Sequence, residues 1–305
     1  MNYWTAEDIP DQTGKIVIVT GANSGLGFED TRALAKKGAS VIMACRSIDK
    51  AEDAARQIRA EHPAADLTIM PLDLASLDSV RQFAQDFTQR YKTLNLLINN
   101  AGVMALPHRR ETADGFEMQI GTNHLGHFAL TGLLMPLIAS TPGARVVSVS
   151  SGAHRMGRIS FDDLQAEKSY GRWPAYGQSK LANLLFTYEL QRRFEAAGMG
   201  AIAVAAHPGY ANTHLQRHSG FFGVTNHLLA QSQEMGALPT LYAATMSTVK
   251  GGEYYGPGGL FYMRGYPERT DSNKRSHDQA IAAHLWSVSE ELTGVHYELK
   301  AAHAN

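Results

Sequence analysis

Short runs of consecutive apolar residues alternate along this chain with longer stretches in which apolar positions recur every three or four. KIVIVT (15–20), SVIMAC (40–45), LTIMPLD (67–73), LNLLINNAG (94–102), ARVVSVSS (144–151) and MGAIAVAAHPG (199–209) read as buried strands with their following turns. Between them, GFEDTRALAKKG stops at Gly38, and IDKAEDAARQIRAEH and residues 76–91 have helical spacing. The third of these helices carries its apolar stripe on Leu77, Val80, Phe83, Ala84 and Phe87. Longer helices are predicted over about 113–138 and over 174–198, where Pro174 stands near the start. The pattern weakens after residue 209 until LPTLYAATM, and a short last strand near Gly259–Met263 and a helix around 275–291 close the reading. Near-continuous apolar strands alternating with helices predict an α/β fold: one doubly wound domain over 1–305, with a parallel sheet of about seven strands covered on both faces.

Composition narrows the function classes. The 44% apolar and 19% charged residues suit a globular enzyme, and a net charge of −1 gives no reason to expect nucleic acid or an anionic surface as partner. A single cysteine, Cys45, excludes an internal disulfide and a Cys-rich zinc site and fits a reducing compartment. The N-terminus MNYWTAEDIPDQTGK is polar and acidic, unlike a signal peptide, and FALTGLLMPLIAS (128–140) is too short to span a bilayer. The expectation is a cytoplasmic protein without a membrane anchor.

TGANSGLG (20–27) joins the first strand to the first helix. Gly21 allows a tight turn, Gly25 lets the backbone approach a pyrophosphate, and Gly27 lets the helix pack against the strand. The helix N-terminus then offers N–H groups to phosphates. The second strand ends in Cys45 and Arg46, where an NAD site would place a carboxylate for the ribose 2′-OH. A guanidinium there pairs with a 2′-phosphate, which favours NADP(H) over NAD(H).

NNAG (99–102), NHLG (123–126), the serine pair 150–151, YGQSK (176–180) and HPGYANT (207–213) follow in order. Together with TGANSGLG they make the chain resemble the short-chain dehydrogenase/reductase family, from about Gly14 to Met263. VIMACRS, TNHLGHF, LANLLFTYEL and AAHPGY resemble its branch of retinol dehydrogenases, WW-domain oxidoreductase and protochlorophyllide reductases. The resemblance implies a Rossmann-type fold and catalytic roles for Asn123, Ser151, Tyr176 and Lys180. Tyr176 would give a proton to a carbonyl oxygen, or take it in the reverse direction. Lys180, one helical turn on, would favour the phenolate; with the positive ring of the oxidised cofactor it would bring the phenol from ~10 towards ~7, which needs about 4 kcal/mol of differential stabilisation. Ser151 rather than Ser150 would hold the substrate oxygen, because the serine of the resembled family is usually the second of such a pair; the two face opposite sides of the strand, so only one can serve. Asn123 would bend its helix and hold a water behind Lys180. The resemblance also implies cofactor contacts from Gly21, Asn23, Ser24, Gly25, Leu26, Gly27, Arg46, Asp73, Leu74, Asn99, Ala101, Gly102, Pro208, Gly209 and Thr213, besides Tyr176 and Lys180.

The chain departs from many members in spacing: Ser151 and Tyr176 stand 25 positions apart, with a long loop between them. His124/His127 and His214/His218 have helical spacing, but no cysteine or carboxylate set completes a metal site. Residues 214–235, within a wider substrate segment at 207–235, read either as a lid or as a packed helix. A lid would imply a bulky apolar substrate, with His154, Met156 and Trp173 as opposite walls. The apolar face of the 174–198 helix serves either a homo-oligomer or the core. The leading expectation is an NADP(H)-dependent alcohol dehydrogenase or carbonyl reductase for a hydrophobic alcohol, aldehyde or ketone. The alternative is a silent nucleotide-sensing or scaffold protein of the same fold.

Overall fold

In the computed structural model, which describes residues 3–210, 231–259 and 263–299, the apolar runs become the strands of one sheet. They are β1 Ile16–Thr20, β2 Ser40–Cys45, β3 Leu67–Pro71, β4 Leu96–Asn99, β5 Arg145–Val149, β6 Ile202–Ala206, β7 Tyr254–Pro257 and β8 Pro267–Arg269. Their order is β3-β2-β1-β4-β5-β6-β7-β8, and every neighbouring pair is parallel except β7 with β8. The order reverses between β1 and β4, where Val17 pairs with Leu96 and Val19 with Ile98. This switch point is where a doubly wound sheet leaves a crevice beyond its carboxyl ends.

Helices cover both faces. On one, α1 (Gly25–Lys36), α2 (Ile48–Glu61) and a helix over Gln233–Thr245 pack Leu34, Ile58 and Leu241 against Val17, Met43 and Val204. On the other, α3 (Leu77–Arg90) brings Val80, Phe83 and Phe87 against Ile18 and Leu97. Ser76 caps α3 by accepting from Ser79 N–H at 3.3 Å.

The helix expected over 113–138 is broken up. Its first part is an antiparallel bridge between Glu111 and Glu117. The chain turns helical at α4 (Met118–Ile120), where the Glu117 carboxylate accepts from Ile120 N–H at 2.9 Å. A π-helical turn over Gly121–Leu125 follows, then α5 (Gly126–Leu133) and α6 (Met135–Ser140). The last parallel strand, β7, lies upstream of the expected 259–263, because the Tyr254–Pro257 run is the one that reaches β6. The added β8 is too short, at three residues, to leave a periodic signal.

The helix α7 (Arg172–Ala196) is buried without interruption from Ala175 to Gln191. The sheet covers one side. On the other lies the last helix, Gln279–Thr293; with the Gln233–Thr245 helix as α8, this is α9. Trp286 of α9 stacks on Phe186, with centroids 5.8 Å apart, and meets Phe128 and Tyr297 edge-on. The Arg193 guanidinium lies 4.2 Å over the Trp286 ring. Of the two readings of the α7 face, the core is the one it serves.

Candidate active site

The carboxyl ends of β1 to β6 open on one cavity of about 1030 Å³. At its nucleotide-sized end, Gly21 and Gly25 have φ of +68° and +60°, and no heavy atom lies within 4 Å of where a Gly25 side chain would begin. The backbone there is open to a ligand. Ser24, the N-cap residue of α1, makes no side-chain cap bond, so its hydroxyl does not occupy the helix N-terminus. Asn23, Ser24, Gly25 and Leu26 line this end. Gly27 lies behind them: a Cβ there would meet Asn100 Nδ2 and the Gly21 carbonyl, each at 2.5 Å.

Beyond β2 the cavity is lined by Arg46, Ser47 and Lys50, the two cations exposed. Cys45 turns inward, and burial pushes its thiol up to about 12. Asp73 and Leu74 lie on the lining, and the Asp73 carboxylate accepts from Ala75 N–H at 3.0 Å. These features fit a dinucleotide: an open glycine turn at a helix start suits a pyrophosphate, and two cations line the cavity beyond β2.

At the far end stand Ser151, Tyr176 and Lys180. Their convergence depends on a close backbone approach. A Cβ on Gly157 would collide with the Gly177 carbonyl, so the loop after β5 lies flush against α7 one residue past Tyr176. Ser150 directs its hydroxyl to the Lys180 carbonyl at 2.8 Å, whereas the Ser151 hydroxyl accepts from Ala153 N–H at 3.2 Å and acts to lower the Tyr176 phenol. Lys180 Nζ donates to the Val149 carbonyl at 2.9 Å and lies 5.8 Å from the Tyr176 ring centroid.

Burial raises the Tyr176 phenol to about 12, with the Ser151 hydroxyl opposing, and lowers the Lys180 ammonium to about 8. Desolvation by burial is the dominant influence on the phenol. Tyr176 is held as the phenol, the form that donates.

Three of the expected residues lie off the lining. Asn99 is buried and donates to Thr131 Oγ1 at 3.1 Å; its neighbour Asn100 lines the cavity with Ala101 and Gly102. Asn123 sits in the π-helical turn. Its amide accepts from Val103 N–H at 2.8 Å and donates to Val103 O and Ser179 Oγ, both at 2.9 Å. Gly27 serves helix packing. Pro208 and Gly209 reach the cavity, whereas Thr213 and most of the 214–235 segment lie outside the described residues.

Of the three expected walls, Met156 and Trp173 line the cavity. His154 turns into the core, its Nδ1 donating to the Ser151 carbonyl at 2.6 Å, and burial lowers its pKa to about 4. Met156 and Met263, both on the lining, are 57% and 38% exposed, leaving apolar side chains open to solvent at the mouth.

Sequence reasoning missed Lys50, which follows Arg46 by four residues in the first turn of α2. Thr20 and His127 meet behind the lining. The Thr20 hydroxyl accepts from Asn100 and Ala101 N–H, both at 2.9 Å, and meets His127 Nε2 at 2.9 Å. With Nδ1 donating to the Asn123 carbonyl at 3.0 Å, His127 is the neutral Nδ1–H tautomer, and burial lowers its pKa to about 4. His124 is also buried, with Nε2 against Ser289 Oγ at 2.9 Å.

A parallel sheet with this strand order and a crevice at its switch point defines a Rossmann-type fold, and the sequence model described as short chain dehydrogenase matches residues 15–220. The chain belongs to that family, in its retinol dehydrogenase-like branch. Retinol dehydrogenase 12 of Homo sapiens is 42% identical over 290 residues, covering 93% of this chain and 88% of the relative. Retinol dehydrogenase 13 of Homo sapiens is 42% identical over 294 residues, covering 92% and 85%. A crystal structure of an uncharacterized protein from Mycobacterium Paratuberculosis superposes with a TM-score of 0.84 at 45% identity, covering 98% of this chain and all of that one. A short chain dehydrogenase from Shigella flexneri complexed with NADP superposes with a TM-score of 0.65 at 25% identity, covering 81% and 97%.

Proposed function

We propose that this oxidoreductase uses NADP(H) to interconvert a hydrophobic alcohol with its aldehyde or ketone. The observation that carries the reading is the placement of Ser151, Tyr176 and Lys180 at one end of a cavity whose other end holds a glycine turn, Arg46 and Lys50. The bound nicotinamide would supply or accept the hydride. Ser151 holds the carbonyl oxygen, Tyr176 delivers the proton to it, and Lys180 stabilises the phenolate left behind. Asn123 acts from behind, fixing the segment after Gly102 and the Ser179 turn of α7. Arg46 and Lys50 select the 2′-phosphate. The apolar mouth at Met156, Trp173 and Met263 supports a lipophilic substrate, as do relatives named retinol dehydrogenases. Among the described residues no helix is long and apolar enough to cross a membrane. The buried lone cysteine supports a reducing compartment such as the cytoplasm.

The test is NADPH-dependent reduction of a panel of aliphatic and aromatic aldehydes by the wild type and by Tyr176→Phe. Loss of the proton donor is expected to lower kcat by about 10²–10⁴-fold with NADPH affinity retained. Turnover near the wild-type rate in the Phe variant would refute the assignment. Arg46→Ala with Lys50→Ala should lower the preference for NADPH over NADH by at least about tenfold, since charge-assisted bonds contribute roughly 1.5–3 kcal/mol each when unscreened and less at exposed sites.

A further inference from the structure

Two amide side chains, one helical turn apart, hold the backbone that follows Gly102. Asn123 clasps both the N–H and the carbonyl of Val103. Gln119, four residues earlier and fully buried, accepts from Ala105 N–H at 2.7 Å. The same Gln119 amide donates to Tyr170 Oη and to the Arg172 carbonyl, both at 3.2 Å. Tyr170 in turn donates to the Leu106 carbonyl at 2.7 Å. Ala105, at the centre of this clasp, has φ of +48°, in the left-handed region that a residue with a Cβ rarely adopts. Such a conformation persists only where its surroundings over-determine it.

The clasp joins two walls of the substrate end. Met104, between the anchored Val103 and Ala105, lines the cavity, and so does Trp173, next to Arg172. Trp173 also stands edge-on to Tyr176, with ring centroids 6.3 Å apart. We propose that Gln119 is a positioning residue that sets the width of the substrate end, through Ala105 to Met104 and through Arg172 to Trp173. This rests on the reading that an apolar carbonyl binds there. Gln119 touches no reacting atom: it keeps the two walls at one spacing, so its contribution falls on substrates large enough to meet both. A short aldehyde, held by Ser151 and Tyr176 alone, does not feel the walls.

The experiment compares Gln119→Leu and Tyr170→Phe with the wild type, using propanal and decanal as substrates and NADPH as reductant. NADPH affinity is measured separately by nucleotide fluorescence. Part of the worth of the three bonds lost in Gln119→Leu and the two lost in Tyr170→Phe falls on the long substrate, and KM for decanal should rise about tenfold in the first and about threefold in the second. The kcat, the KM for propanal and the affinity for NADPH should stay near wild type. Equal effects on both aldehydes, or a joint fall in kcat and NADPH affinity, would show a general scaffold role and overturn the proposal. A second readout needs no turnover: acrylamide quenching of Trp173, isolated by subtracting the signal of Trp173→Phe counterparts, should rise in Gln119→Leu. Should the wild type reduce neither aldehyde, the reading of the site fails on its own, and an unchanged Trp173 quenching constant would still refute the role of Gln119. If Gln119→Leu does not fold, Tyr170→Phe decides by the same measurements.

Discussion

Asp30 of α1 is fully buried, and neither carboxylate oxygen has a hydrogen-bond partner. Burial, with the Glu29 carboxylate adding to it, raises its pKa well above the ordinary value. The sign of the stability effect follows. In the unfolded chain Asp30 ionises as pH passes about 3.9, while in the folded chain it stays protonated to higher pH. The folded state therefore binds the extra proton, and stability falls as pH rises from about 3.9 towards the raised folded pKa. Each unit of that window costs about 1.4 kcal/mol. Asp30→Asn keeps the shape and a neutral polar group but cannot ionise. At pH 8 it should be the more stable by about 1.4 kcal/mol for each pH unit by which burial raises the folded pKa, because it escapes the ionisation penalty. At roughly 2.1 cal/mol/K per residue, each such unit raises Tm by about 2 °C in a chain this long. Thermal melts from pH 4 to pH 8 should show the two proteins nearly coincident at the acid end and diverging with rising pH. A gap independent of pH, or a variant less stable at pH 8, would refute the reasoning.

With Tyr176 held up near 12 and Lys180 down near 8, kcat/KM for carbonyl reduction should decline above about pH 8 as the ammonium is lost. A pH–rate profile checks it, and Lys180→Met should remove that limb along with most of the rate. Gly27→Ala forces a methyl against the Gly21 carbonyl and Asn100, so NADPH affinity should fall at least about tenfold and stability by roughly 1–3 kcal/mol; titration and chemical denaturation read the two. Trp286→Ala removes the ring between Phe128, Phe186 and Tyr297, and should cost about 3–5 kcal/mol in denaturant unfolding. By uncovering α7, the same change should also make the chain associate as its concentration rises.

The sheet was legible because its strands are buried on both faces and so carry unbroken apolar runs such as KIVIVT and RVVSV. What escaped was local. A helix read from about 113 starts too early, because the Glu111–Glu117 bridge depends on the fold of the loop around it. Asn99 and Asn100 are adjacent, and only strand alternation and the β4 end decide which one faces the cavity. Lys50 is chemically indistinguishable from a solvated helix lysine until Arg46 is seen beside it. Asp30 reads as an ordinary surface carboxylate of an amphipathic helix, because its burial is imposed by the elements packed on α1 and leaves no periodic trace. For Tyr176 and Lys180, spacing reveals proximity and not the depth at which both are buried.

The cover that α9 gives to α7 has a consequence for biosynthesis. Gln279 leaves the ribosome 83 residues after Ala196, which at about 5–20 residues per second is a delay of roughly 4–17 s. Throughout that interval Phe186, Leu190 and Phe194 have emerged without the Trp286 ring that shields them. The nascent chain thus presents a greasy flank to whatever holdase stands at the exit tunnel, and its maturation is timed by its far end.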